Sequence, residues 1–248
     1  MTNDDHAPVY AIIGATGGIG ADLTRRLAGR GGRLVLGART EADVRALADE
    51  VGAEAYPLDA TDFEQVQGFV RHALDTHGRI DGIANLAGSI LLKPAHLTSL
   101  DEFNQTLALN LHTAFHTVKA AARAMMKEGG SIVLMTTAAA RIGVPNHEAI
   151  AAAKGGVIGL TRAAAATYAN RGVRVNCIAP GLVASRMSEH LVQNEAGRKQ
   201  SEAMHALGRI GQPGDVAPAI AWLLSAESSW VTGQVIGVDG GLATVRGR

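Results

Sequence analysis

The segment Gly14–Gly20 (GATGGIG) lies between an apolar run, Val9–Ile13, and a run of helix formers, Ala21–Leu27. Strand, glycine turn and helix in that order admit few folds. Gly14 lets the chain turn sharply out of the strand. Gly18 and Gly20 remove Cβ atoms where a pyrophosphate and the sheet must come close. The helix that follows points free N–H groups and the positive end of its dipole at the turn. The pattern therefore predicts a dinucleotide-phosphate site, with Thr16 and Ile19 completing the turn. An ordinary tight turn is the alternative.

The rest of the chain alternates. Apolar runs at Val9–Gly14, Arg33–Ala38, Ala53–Pro57, Ile80–Asn85, Ser131–Thr137, Val173–Ala179 and Gln234–Val238 predict seven strands. Helical patterns fall at Gly18–Arg30, Glu41–Val51, Asp62–His77, from a cap at Thr98 to Lys127, at Ile150–Asn170 and at Pro213–Ser225. Thr40 is the expected cap of the second helix. This order implies an α/β fold, a doubly wound parallel seven-stranded sheet of Rossmann type. No linker or repeat divides it, so residues 9–248 read as a single domain behind a flexible tail, residues 1–8. The polar stretch after Gly181 has few apolar anchors and is expected to be the most mobile part.

Composition narrows the function. Residues of the hydrophobic class make up 47% of the chain and aromatics 4%, which suits helices packed on a buried sheet. The 23 basic and 23 acidic residues balance, which argues against nucleic acid and against electrostatic docking on a membrane. No apolar run approaches the ~20 residues of a membrane span. The N-terminus resembles neither a signal nor a transit peptide. Cys177 is the one cysteine, so no internal disulfide forms, and the expected location is the cytoplasm. The nine histidines show no ligand spacing, and no metal site is expected. In an open α/β sheet ligands bind beyond the carboxyl ends of the strands. That directs attention to Gly14–Gly20, Arg39, Asp59, Asn85–Gly88, Thr136–Asn146 and Pro180–Met187.

In these segments the chain resembles the short-chain dehydrogenase/reductase family, in its branch of roughly 250 residues. The glycine turn matches at Gly14, Gly18 and Gly20, with Ile13 in the threonine slot. The family's Asn-Asn-Ala-Gly matches the run from Asn85 to Gly88 with one asparagine changed. Its helix asparagine matches Asn110, and its Pro-Gly after the sixth strand matches Pro180 and Gly181. The C-terminal runs Leu207–Val216 and Val231–Gly241 look like those of carrier-protein ketoreductases. The resemblance implies a nicotinamide cofactor contacted by Asp59 and Ala60 near adenine and by Asn85, Ala87 and Gly88 beside the adenosine ribose. It further implies contacts from Lys154 at the nicotinamide ribose, and from Pro180, Gly181, Val183 and Ser185 along the last loop. It also implies a homotetramer, through the helices near residues 99–127 and 150–170 and through the last strand.

The family's catalytic motif is Tyr-xxx-Lys, with a serine thirteen residues before the tyrosine. Here Lys154 stands in the lysine slot, Thr137 in the serine slot and Ile150 in the tyrosine slot. Isoleucine has no proton to give. Asn110, Thr137 and Lys154 keep the rest of the frame, and His147 and Glu148 lie close enough in sequence to supply an acid. They are equally readable as capping or rim residues. The resemblance thus implies an oxidoreductase with an atypical site. It moves hydride between nicotinamide and a carbonyl, an alcohol or a conjugated small molecule. A non-catalytic cofactor-binding protein and an enoyl or dienoyl thioester reductase are the alternatives. Ala38 offers no acid to a ribose 2′-hydroxyl and Arg39 offers a cation to a 2′-phosphate, which favours NADP, with NAD possible.

Overall fold

The computed structural model describes residues 7–193 and 195–245; of the tail, residues 1–6 lie outside the described residues. Seven strands form one parallel sheet: Val9–Ile13 (β1), Arg33–Ala38 (β2), Glu54–Pro57 (β3), Gly82–Asn85 (β4), Gly130–Met135 (β5), Val173–Pro180 (β6) and Val235–Val238 (β7). Their order is β3-β2-β1-β4-β5-β6-β7. Strand β1 is buried along its whole length and β4, β5 and β6 are mostly apolar, because both faces of the sheet are covered. On one face α1 (Gly18–Ala28), α2 (Glu41–Val51) and α9 (Pro213–Leu224) enclose Ile12, Leu36 and Ile178. On the other, α3 (Phe63–His77), α5 (Thr113–Met125) and α6 (Glu148–Tyr168) enclose Ile83, Ile132 and Leu134. Each such buried side chain stabilises the fold by roughly 1.5–3 kcal/mol.

Register decides where the site stands. Ile13 is level with Gly37 on β2 and with Asn85 on β4, and Asn85 is level with Leu134 on β5. The turns that leave these strands therefore emerge side by side. The chain runs from β1 to β2 on one flank and sets β4 on the other, so the order reverses at β1. A crevice opens at that point of a doubly wound sheet.

Several local expectations need correction. The long helix is capped at Ser99, not Thr98. Ser99 accepts from the Glu102 N–H and Glu102 returns a bond to the Ser99 N–H, while the Thr98 hydroxyl turns back to Pro94 O. A serine followed three residues later by glutamate is the stronger box. That helix is not continuous either. It runs as α4 (Leu100–Leu107), a π turn at Ala108–His112, and α5, ending at Met125. Thr40 sits at the start of α2 without a side-chain bond to it. Strand β4 begins at Gly82 rather than Ile80, and β5 ends at Met135, before Thr137. The polar stretch after Gly181, by contrast, reads in the sequence as irregular or helical, and it contains α7 (Glu189–Gln193) and α8 (Glu195–Met204).

Candidate active site

The turn after β1 is built from backbone. Gly14 has φ +80°, and its N–H donates to Gly37 O at 2.8 Å. A Cβ on Gly14 would stand 2.8 Å from Ala87 N, so this glycine lets the turn touch the end of β4. A Cβ on Gly20 would collide with the carbonyl oxygens of Gly14 and Ala15. A Cβ on Gly18 would meet Ser185 Cβ at 3.3 Å and Pro213 Cγ at 3.2 Å, so this glycine also makes room for the loop after β6 and the start of α9. Thr16 and Ile19 are partly exposed along this turn.

The start of α1 fits an anion. Its N-cap, Gly17, offers no side-chain bond, and no acid stands in its first turn. Among the described residues, α2, α3, α4, α6, α7, α8 and α9 all carry an acid there. Acids at a helix start satisfy its N–H groups and positive end from within. Among the α-helices of the described residues that begin from loops, α1 alone leaves both unmet, which matches the chemistry of a pyrophosphate.

Beyond β2 and β3 lie Arg39, Asp59 and Ala60. Asp59 accepts from the Thr61 N–H at 2.9 Å and the Thr61 hydroxyl at 2.7 Å, and these bonds hold its carboxyl below the usual range, helped by the charge of Arg39. Ala60 O accepts from His116 Nδ1 at 3.1 Å. Beyond β4, the side chain of Asn85 is buried. Its Nδ2 donates to Thr117 Oγ1 at 3.0 Å and its Oδ1 accepts from the Ala87 N–H at 2.9 Å. Asn85 thus shapes the Ala87–Gly88 turn; its side-chain amide is already engaged.

Asn110 sits in the π turn and explains it. Its Nδ2 donates to Thr106 O at 2.9 Å, the carbonyl that its own N–H would use in a regular helix. Nδ2 also donates to Ser89 Oγ at 3.0 Å, and Oδ1 accepts from the Ser89 N–H at 3.1 Å. Across from it, Gly156 lets α6 close on Leu111, since a Cβ there would stand 2.9 Å from Leu111 Cδ2. This brings Lys154 to the same place. Both Asn110 Oδ1 and Lys154 Nζ lie within 3.4 Å of the point a Cβ on Gly88 would occupy.

Lys154 is 7% exposed, and its Nζ donates to Met135 O at 2.9 Å. An ammonium has three donors, so two remain without a protein acceptor among the described residues. Burial with no carboxylate partner brings its pKa down to about 8. Its backbone carbonyl accepts from Thr136 Oγ1 at 2.9 Å, which fixes α6 against the end of β5. Thr137 Oγ1 accepts from the Ala139 N–H at 3.3 Å and keeps its own proton to donate. Ile150 is buried one turn before Lys154 on the same helix face. His147 is half-buried at the start of α6, where Nδ1 donates to Pro145 O at 2.7 Å and leaves Nε2 available.

Pro180 closes β6 and is buried, and the Gly181 N–H that follows donates to Val238 O at 3.3 Å. A Cβ on Gly181 would collide with His205 Nε2, which accepts from the Leu182 N–H at 3.2 Å while Nδ1 donates to Ser201 O at 2.6 Å. His205 is therefore a neutral peg joining α8 to this loop. Val183 pairs with Gly211, and the Ser185 N–H donates to Ser188 Oγ at 3.0 Å. The glycine turn, Arg39, Asp59, Ala60, Asn85–Gly88, Thr137 and the Pro180–Ser185 loop follow the carboxyl ends of strands, whereas Asn110 in the π turn and Lys154 inside α6 stand on helices and meet beside Gly88. Sequence reasoning missed Ser89, Thr117 and Met135 O. Ser89 was signalled by its place directly after Gly88; a carbonyl acceptor leaves no signal. No group of three or more metal-ligating side chains occurs among the described residues, and no described helix is long and apolar enough to cross a membrane.

Residues 14–243 match the family described as enoyl-(acyl carrier protein) reductase. The chain is 36% identical over 242 residues to a 3-oxoacyl-[acyl-carrier-protein] reductase of Thermotoga maritima, covering 94% of this chain and 97% of that protein. It is 35% identical over 240 residues to a 2,5-dichloro-2,5-cyclohexadiene-1,4-diol dehydrogenase of Sphingobium indicum, covering 94% and 96%. A short-chain type dehydrogenase/reductase from Mycobacterium ulcerans superposes with a TM-score of 0.92 at 28% identity, covering 97% of this chain and 91% of that one. With its reversal of strand order at β1, its glycine turn and its full-length relatives, the chain belongs to the short-chain dehydrogenase/reductase family of nicotinamide-dependent oxidoreductases.

Proposed function

We propose that this protein is an NADP-dependent oxidoreductase with an atypical active site, in which the proton travels by Lys154 and Asn110 rather than by a side chain at position 150. The carrying observation is Lys154: a buried ammonium with two free donors beside Gly88 and Asn110, and a hydrocarbon, Ile150, one turn away. The coenzyme, when bound, supplies hydride. Gly14, Gly18, Gly20 and the bare start of α1, with Thr16 and Ile19, receive its phosphates. Asp59, Ala60, Asn85, Ala87 and Gly88 line the adenosine side, and Pro180, Gly181, Val183 and Ser185 cover the rest. Arg39, next to Ala38, selects a 2′-phosphate.

The chain's own chemistry concerns the substrate oxygen. Thr137 donates its hydroxyl proton as a hydrogen bond to that oxygen and polarises it. Lys154 holds the proton to be delivered, and Asn110, fixed by Ser89 and Thr106, orients the water that carries it. His147 stands at the rim as an acid open to solvent. Reduction needs the ammonium form, so its rate falls as pH rises through about 8. A conjugated substrate asks less of this device, because hydride goes to carbon and the proton is placed elsewhere. The substrate is a small molecule, and Ala138–Ala140 and Ile142–Val144 give its cleft an apolar wall. The chain is read as cytoplasmic. A homotetramer is supported by Phe115, 51% exposed beside a hollow of about 440 Å³ lined also by Leu111, His112, His116 and Leu160, and by the outer edge of β7, which pairs with no further strand among the described residues; light scattering tests it.

The test is a titration with NADPH and NADH, then turnover on ketones, 3-oxoacyl thioesters, enoyl thioesters and quinones followed by cofactor absorbance. NADPH should bind more tightly and at least one class should turn over. Tighter NADH binding would reverse the cofactor assignment. Tight cofactor binding without turnover on any class would favour the second reading, a non-catalytic cofactor-binding protein, which Ile150 motivates.

A further inference from the structure

The loop after β6 carries an exposed cation, Arg186. Arg186 projects from the turn Arg186–Ser188 with its side chain 89% exposed, and its Nη1 lies 3.8 Å from Asp43 Oδ2. Asp43 stands in the first turn of α2, four residues after Arg39. The preceding residue, Ser185, packs over Gly18 at the start of α1. Two consecutive residues therefore span from the start of α1 to the start of α2, crossing the carboxyl ends of β1 and β2. The base of this bridge is held: the Ser185 N–H donates to Ser188 Oγ, and Ser188 Oγ donates to Val183 O at 2.5 Å.

The ion pair itself is loose. It is long, and Asp43 is also well exposed, with 45% of its side chain open. Such pairs contribute little to stability and are screened by salt. A phosphate dianion at the same place offers twice the charge and three acceptor oxygens to a guanidinium fork. Asp43 is thus a replaceable partner, and the chain already sets one arginine, Arg39, on the near side of that position. We propose that Arg186 is a second arginine for an adenosine 2′-phosphate, opposing Arg39, and that Asp43 holds it across the groove until the phosphate displaces the carboxylate. This rests on the dinucleotide reading above. It makes cofactor choice depend on two elements from opposite halves of the chain, and it ties the loop down only when the extra phosphate is present.

The probes are 2′,5′-ADP, which carries that phosphate, and 5′-ADP, which does not, measured by calorimetry on the full chain at low ionic strength. Arg186→Ala should weaken 2′,5′-ADP about tenfold and leave 5′-ADP within about twofold, with Arg186→Lys between the two. Asp43→Asn should tighten 2′,5′-ADP about threefold by removing the competitor. An Arg186→Ala chain that binds 2′,5′-ADP like the wild type overturns the inference alone, provided Arg39→Ala weakens it. Equal weakening of both probes also overturns it, by placing the guanidinium on the 5′-phosphates. Failure of the wild-type chain to bind either probe overturns the dinucleotide reading and the inference together.

Discussion

Among the helix starts that lack a side-chain cap at the carboxyl edge of the sheet, α1 at Gly17–Gly18 and α6 at His147–Glu148 differ most in how they are built. The first is made almost wholly of backbone. Its glycines are wedged against carbonyls and against the end of β4, so its shape follows from the path of the chain. The second is made of side chains: His147 and Glu148 at the lip, Ile150 inside, Lys154 one turn below. A backbone site tolerates almost no change in residue type. A side-chain site can exchange a reactive group for an inert one of suitable size and leave the frame standing, and Ile150 packs in the core while Lys154 still reaches Met135 O. The same fold therefore fixes the backbone turn at the α1 start tightly and the side chains at the α6 start loosely.

The harshest way to break this contrast is at Gly20. A Cβ there would run into Gly14 O and Ala15 O, both backbone atoms that cannot step aside. Gly20→Ala should cost about 3 kcal/mol or more in denaturant unfolding and abolish cofactor binding. A variant of near wild-type stability that still binds the dinucleotide would show that the α1 start is no more rigid than the α6 start.

At the other start, Lys154 separates stability from chemistry. Its pKa falls from 10.5 unfolded to about 8 folded, so the unfolded chain binds the proton more tightly. Stability from this group rises with pH across that window, and the penalty is fully present below pH 8. Lys154→Met removes it. The stability of the variant relative to the wild type should shrink by on the order of 3 kcal/mol between pH 8 and 10.5, a difference in which other titrating groups cancel. Reduction by the variant should be nearly lost. Parallel pH curves for the two proteins would mean that the ammonium is not desolvated.

Ile150→Tyr sharpens the comparison from the chemical side. If the frame is intact and only the acid is missing, carbonyl reduction should rise about a hundredfold, a usual size for one positioned acid, with cofactor affinity unchanged. An unchanged or lower rate in an active protein would mean that the site runs on a different proton route.

Legibility in the sequence followed the same division. The sheet and the turns at Gly14–Gly20 and Asn85–Gly88 were readable because period, apolar runs and glycine spacing report backbone geometry. The π turn was not, because it arises from Asn110 taking its own helix's carbonyl at Thr106, a choice that helical periodicity hides. Thr98 and Ser99 are both good caps by type, and only the reach of Glu102 decides between them. Arg186 and Asp43 lie 143 residues apart, and nothing local announces that they meet. Lys154 was placed by resemblance to the family's motif, but its burial and its bond to Met135 O belong to the packing of α6 on β5.

His147 gives the smallest and most discriminating effect. Its Nδ1 is committed to Pro145 O, so only Nε2 can exchange a proton, and it does so from a half-buried ring near the lip of the cleft. A residue placed there can feed or drain protons but stands two helical turns from Lys154, so it should not be indispensable. His147→Ala is expected to lower turnover about threefold, well below the loss of a directly positioned acid, and to leave NADPH affinity alone. His147→Gln keeps a donor that can reach Pro145 O but cannot titrate. If it matches the wild type, the ring serves to hold the Pro145–His147 turn; if it matches the alanine variant, the proton on Nε2 is what counts. Equal activity in all three proteins removes His147 from the mechanism and leaves the proton route to Lys154.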